Sequence, residues 1–123
     1  TDLVDGDFVD VRIRFGNGQD YIVVSKKQVS IPEIAGAPAE GVININLSED
    51  ESIAMSSAII ELYQLKAVEM YVSRYTDPGM QVAATPTYPV SAEALNLMDS
   101  NPNIVDEAKQ AIASRYNRKR KLY

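Results

Sequence analysis

Apolar and polar side chains alternate with period two from Asp7 to Phe15. Val9, Val11, Ile13 and Phe15 share one face, and Asp10, Arg12 and Arg14 share the other. That period belongs to a half-buried β-strand. Gly16-Asn17-Gly18 follows, and its glycines allow the positive φ that a tight hairpin loop needs. A second strand is expected over about Asp20–Ser25, where four consecutive apolar β-formers, Tyr21-Ile22-Val23-Val24, imply burial on both faces. Lys26-Lys27 interrupts it, and Val29-Ser30-Ile31 can resume pairing before Pro32. Residues 32–41 hold two prolines and two glycines, a composition that leaves little room for a ladder and reads as a loop.

Val42-Ile43-Asn44-Ile45-Asn46-Leu47 alternates again and reads as a short strand. It runs into Ser48-Glu49-Asp50-Glu51, a capping box in which the Ser48 hydroxyl accepts from the Glu51 amide and the Glu51 carboxylate reaches back. The helix that follows should run to about Leu65, with Ile53, Met55, Ile59, Ile60, Leu62 and Tyr63 forming a broad apolar face against the sheet. Glu69–Tyr75 is a strand, and Asp77-Pro78-Gly79 turns the chain out of it. Residues 80–90 hold Pro86 and Pro89 around Thr87-Tyr88, which favours an extended segment at an edge over a central strand. Ser91 can cap a helix over 92–98. Asn101-Pro102-Asn103 turns, and Asn103 can cap a last helix over about 104–117, with Ile104, Ala108, Ile112 and Tyr116 as its thin apolar stripe.

The fold class is therefore α+β: a small, mainly antiparallel sheet, one packed helix and a helical C-terminal extension. Residues 1–90 form the core domain, and 91–123 extend that same domain. At 123 residues, 46% hydrophobic and 24% charged, the chain has the length and composition of one globular unit. No apolar run approaches the ~18 residues that cross a bilayer. The first residue is Thr1 rather than Met, which fits a fragment or a processed product.

Composition narrows the chemistry. With no cysteine there is neither a disulfide framework nor a thiolate metal site, and with no histidine the commonest general base and metal ligand is missing. There is no Gly-x-Ser-x-Gly elbow and no Ser-x-x-Lys spacing for nucleophilic catalysis. The carboxylate pairs Asp7/Asp10 and Glu49/Glu51 read as solvation and capping. Asp99-Ser100-Asn101-Pro102-Asn103 opens like a calcium loop, but its sixth position is Ile104 and its twelfth is Gln110, where glycine and glutamate are required. The acidic start (Asp2, Asp5, Asp7, Asp10) has no ligand spacing, and Gly16-Asn17-Gly18 is not followed by a helix that could cradle phosphate. No catalytic residue, cofactor or metal is expected, and the chain is not expected to be an enzyme.

Net charge is −5 and uneven: residues 1–114 hold 7 basic and 17 acidic side chains, and 115–123 hold five basic ones, Arg115, Arg118, Lys119, Arg120 and Lys121. Those five are candidates for partner or anion contact, against the plainer reading of a solvated helix end that complements the helix dipole. Seven tyrosines supply most of the aromatic surface. The edge around Thr85–Val90, with Thr87, Tyr88 and Val90, is a candidate protein contact, as is the 32–41 loop.

The order Gly6-Asp7-Phe8-Val9-Asp10-Val11, Val23-Val24-Ser25-Lys26-Lys27-Gln28-Val29, Ile43-Asn44-Ile45-Asn46-Leu47-Ser48-Glu49-Asp50-Glu51 and Glu69-Met70-Tyr71-Val72-Ser73-Arg74-Tyr75 resembles the CpaB/RcpC family of Flp-type pilus assembly proteins, which carry an SAF domain. The resemblance covers about residues 6–79. Phe8 stands where the family tends to have arginine, and residues 80–123 have no counterpart. The resemblance implies a structural or assembly protein of a pilus or cell-envelope complex, extracytoplasmic. Its partners would be other protein subunits, a second copy of the chain among them. Membrane contact would come only through an anchor upstream of this chain. The alternatives are a phage virion structural protein and a nucleic-acid-binding accessory protein that uses the basic C-terminal tail.

Overall fold

The structure, a computed structural model, describes residues 3–38 and 42–121, with side chains described through Arg115, Pro38 excepted. The protein is a small α+β fold. Strands β1 (Phe8–Arg14), β2 (Asp20–Gln28) and, later in the chain, β5 (Glu69–Arg74) form an antiparallel sheet in the order β2-β1-β5. β1 lies in the centre, paired along its length with β2 on one side and β5 on the other. Val9, Val11 and Ile13 are buried on the inner face, where Met70 and Val72 of β5 pack against the same core. Helix α1 (Glu49–Gln64) covers that face with Ala54, Met55 and Ala58, and Tyr21, Val23 and Val24 of β2 complete the cluster.

Helices α2 (Ala92–Ser100) and α3 (Ile104–Lys121) pack against α1. Ile60 of α1, Ala94 of α2 and Ile104 of α3 form a second apolar cluster with Tyr63, Leu97, Met98 and Val105 around it. Both faces of α1 therefore carry core residues, and the helical extension is built onto the helix that covers the sheet. The α3 stripe follows its expected spacing, with Ile104 and Ala108 buried; the Tyr116 side chain lies outside the described residues.

Four local expectations are corrected. β2 does not stop at Lys26-Lys27 but runs to Gln28, because two single-residue register shifts insert extra residues opposite β1. Lys26 takes a positive φ of 47° there, the left-handed conformation that one class of bulge uses. The 32–41 loop holds a minimal hairpin, β3 (Glu33–Ile34) with β4 (Ala37–Pro38). Its central residues Ala35 and Gly36 both have positive φ, the requirement of a type I′ turn; residues 39–41 lie outside the described residues. Residues 42–47 keep their alternation, with Ile43, Ile45 and Leu47 turned inward, yet form only one bridge, Ser30 with Asn44. Ile53, expected on the packed face of α1, is 41% exposed. It lies on the Ile60 side of the helix, two turns before Ile60, and not on the side that Ala54 and Ala58 turn to the sheet.

The capping box stands as read. The Glu51 amide donates to the Ser48 hydroxyl (3.2 Å), and the Ser48 amide donates to the Glu51 carboxylate (2.9 Å). Glu51 also pairs with Lys27, which ties the start of α1 to β2. Those two partners, Lys27 first and the Ser48 amide second, hold the Glu51 carboxyl below its ordinary value.

Candidate protein-contact surface

The chain between β5 and α2, residues 75–91, forms no strand or helix and is tethered to the body at two places. Its first tether starts at the β2 bulge. Asp10 is 7% exposed, and its Oδ1 accepts from the Lys26 amide (2.9 Å) and from the Tyr75 hydroxyl (2.6 Å). The Tyr75 oxygen in turn accepts from the Ala84 amide (3.3 Å), and the Lys26 ammonium donates to the Gln81 carbonyl (2.7 Å). One buried carboxylate thus fixes the bulge and, through Tyr75, the returning limb of the loop. A carboxylate buried without such donors would cost several kcal/mol, so the two donors explain how Asp10 can lie there.

Within the loop, Asp77-Pro78-Gly79 makes the expected turn. The Met80 and Gln81 amides both donate to the Asp77 carbonyl at 3.0 Å. The Gln81 side chain closes the same turn by accepting from the Asp77 amide at 2.7 Å. On this fixed frame Met80 is 82% exposed and Val82 is 90% exposed. Single exposed apolar residues are ordinary. Two of them, close together on a loop held by polar contacts, make a knob whose shape is set before anything touches it.

The second tether joins residues 87–91 to the body. The Thr87 and Tyr88 amides donate to the Ile22 carbonyl (2.9 and 3.0 Å), and the Ile22 amide donates to the Thr87 hydroxyl (2.9 Å). This stretch therefore covers part of the outer edge of β2. Tyr88, expected at a partner-facing edge, instead enters the core and is 9% exposed. Its ring meets Tyr21 edge-on at 6.5 Å, and its hydroxyl donates to the Glu61 carboxylate. With that proton engaged, the Ser57 hydroxyl donates to the Tyr88 oxygen (2.7 Å), and Ser57 accepts from the Ser91 amide (2.9 Å). Burial, then the Glu61 partner, push the Tyr88 hydroxyl well above the ordinary tyrosine range. Thr87 and Val90 are exposed as expected, but the Thr87 hydroxyl is held by β2.

The outer sheet face carries a separate network. Arg12 donates to Asp20 (3.2 Å) and to the Tyr71 hydroxyl (3.1 Å). Arg14 donates to Glu69 (2.7 Å) and lies over the Tyr71 ring at 4.8 Å. The Tyr71 hydroxyl, followed by Arg12, holds the Asp20 carboxyl below its ordinary value. The charged groups of this face thus satisfy one another.

Three of the four carboxylates considered for acid–base work have structural partners. Asp7 accepts from the Val4 amide (2.9 Å), Asp10 holds the bulge, and Glu51 caps α1. Asn101, from the calcium-like stretch, ends α2 and accepts from the Asn103 amide at 3.2 Å. Among the described residues there is no cluster of three or more metal-ligating side chains, and no helix is long and apolar enough to cross a membrane.

At the opposite end of β5 from the knob lies a groove of about 680 Å³, lined by Leu65, Lys66, Val68, Met70, Ile112 and Arg115 among others. Arg115 is the described member of the expected basic set. It donates to the Tyr63 carbonyl (3.2 Å) and lies over the Tyr63 ring at 5.7 Å, so it fastens α3 to the end of α1. The side chains of Arg118, Lys119, Arg120 and Lys121 lie outside the described residues. Sequence reading singled out neither the knob nor the groove. Met80 and Val82 belong to no apolar period, and the groove is assembled from three elements distant in sequence. No family model, curated protein or solved structure matches this chain.

Proposed function

We propose that this protein is a non-enzymatic assembly module that works by presenting the loop 77–84 to a neighbouring protein subunit. The observation that carries the reading is the combination at that loop: Met80 and Val82 stand almost fully in water on a backbone tied to Asp10, Lys26 and Tyr75. An apolar knob with its conformation already fixed loses little entropy when a partner covers it. The pilus or cell-envelope setting comes from the resemblance of residues 6–79 to the CpaB/RcpC family, and with it an extracytoplasmic location. The structural employment of Asp7, Asp10 and Glu51 also favours a binding role over proton transfer.

A photo-crosslinking side chain placed at Val82, in the cells that make the protein, tests the reading. Discrete protein adducts are expected on irradiation. The same group at Glu93, an exposed position on α2, serves as the control. Equal and diffuse labelling from both positions would overturn the proposal.

A further inference from the structure

β5 links two features of opposite shape. Its Arg74 end leads into the knob bearing Met80 and Val82, and its Glu69 end borders the 680 Å³ groove. Six strand residues separate the two by about 17 Å, so the knob cannot reach the groove of its own molecule. Between two copies it can. The groove's volume lies in the range of clefts that take small ligands, ~300–1,000 Å³, ample for one methionine and one valine side chain.

Charge favours the same occupant. Exposed Asp77 stands at the base of the knob, where the Lys26 ammonium binds the Gln81 carbonyl; Lys66 and Arg115 line the groove together with Glu69, whose charge Arg14 offsets. At the level of sequence, Arg118, Lys119, Arg120 and Lys121 continue α3 from that rim, while residues 1–114 hold 7 basic and 17 acidic side chains. A basic end on one copy and an acidic body on the next attract each other head to tail. Building on the assembly reading above, we infer that a second copy of this chain docks its Met80–Val82 loop into the groove between α1, β5 and α3. Such a contact uses two different patches, so it propagates into an open filament or closes into a ring.

Sedimentation velocity over a concentration series tests this. The knob and groove form a contact smaller than the ~800 Å² per partner of a standard interface, so association with a Kd of roughly 10 μM to 1 mM is expected. A knob variant, Met80→Lys with Val82→Lys, and a groove variant, Leu65→Gln with Lys66→Glu, should each associate at least ~10-fold more weakly, a difference of about 1.4 kcal/mol. All four positions are exposed, so both variants should melt like the wild type. The deciding sample is the mixture. Each variant keeps the patch that the other lacks, so a head-to-tail contact predicts a 1:1 heterodimer and nothing longer. A mixture that stays monomeric, or a knob variant that associates like wild type, would overturn the inference. So would a wild-type chain that is monomeric throughout the series. If Val82 crosslinks then still find a different protein, the self-docking fails and the assembly reading stands; if they find none, both fail.

Discussion

One hydroxyl, that of Tyr88, joins three parts of the molecule: α1 through Ser57 and Glu61, the core through its ring, and the start of α2 through the Ser57–Ser91 bond. Tyr88→Phe keeps the ring and removes the donor to Glu61 and the acceptor of Ser57. It should cost about 1–3 kcal/mol in urea unfolding, the penalty for buried polar groups losing a partner. The pH dependence has a definite sign. The Tyr88 hydroxyl is raised above its ordinary value of 10.0 in the folded protein, so the native state holds this proton after the unfolded chain has released it. Stability from this group is full below pH 10 and falls as pH rises above it. Unfolding curves at stepwise higher pH should show that decline, and Tyr88→Phe should flatten it. The sequence shows Tyr88 only as an aromatic between two prolines, which correctly implies an extended backbone. Ser57 and Glu61 lie 31 and 27 residues away, so local pattern gives no hint that the side chain turns inward.

Element identity was largely readable in the sequence because it depends on neighbours. The β1 alternation, the Gly16-Asn17-Gly18 turn and the Ser48–Glu51 box each carry their instruction within a few residues. The box yields a prediction at this scale. Ser48→Ala should destabilise the protein by about 1 kcal/mol, measured by chemical unfolding. The Glu51 carboxyl is held below its ordinary value of 4.5 by Lys27 and Ser48, so its contribution is present above that pH and disappears as pH falls beneath it. The acid limb of the stability profile should therefore be shallower in Glu51→Gln. What the pattern could not show is β2 continuing past Lys26-Lys27. The bulge there exists because a carboxylate 16 residues earlier accepts the Lys26 amide, and such pairing is decided only once strands meet. Residues 42–47 fail in the opposite sense. Their alternation is that of a strand, but a strand needs a neighbour along its length, and here only Asn44 finds one.

For the whole molecule, α1 works as the shared wall between the sheet and the helical extension, with separate apolar clusters on its two sides. Among the described side chains of the last nine residues, Arg115 reaches that wall, through the Tyr63 carbonyl and ring. Truncation after Ser114 should leave the fold intact, with the lost Arg115–Tyr63 stacking itself worth about 1 kcal/mol, the scale of an exposed cation–π contact. It removes five basic side chains, taking the formal charge from −5 to −10. Self-association of the truncated chain should be weaker than wild type at low salt, and the gap should narrow towards ~1 M salt as screening shortens the reach of charge. The knob and groove were illegible in the sequence because each is defined by what does not pack beside it. The one-bridge segment has a consequence of another kind. Val42-Ile43-Asn44-Ile45-Asn46-Leu47 has high β-propensity, no charge and no proline, the makings of a steric zipper. In the native protein its inward residues are partly buried against the core; when α1 detaches, the same six residues become an unguarded nucleus for amyloid.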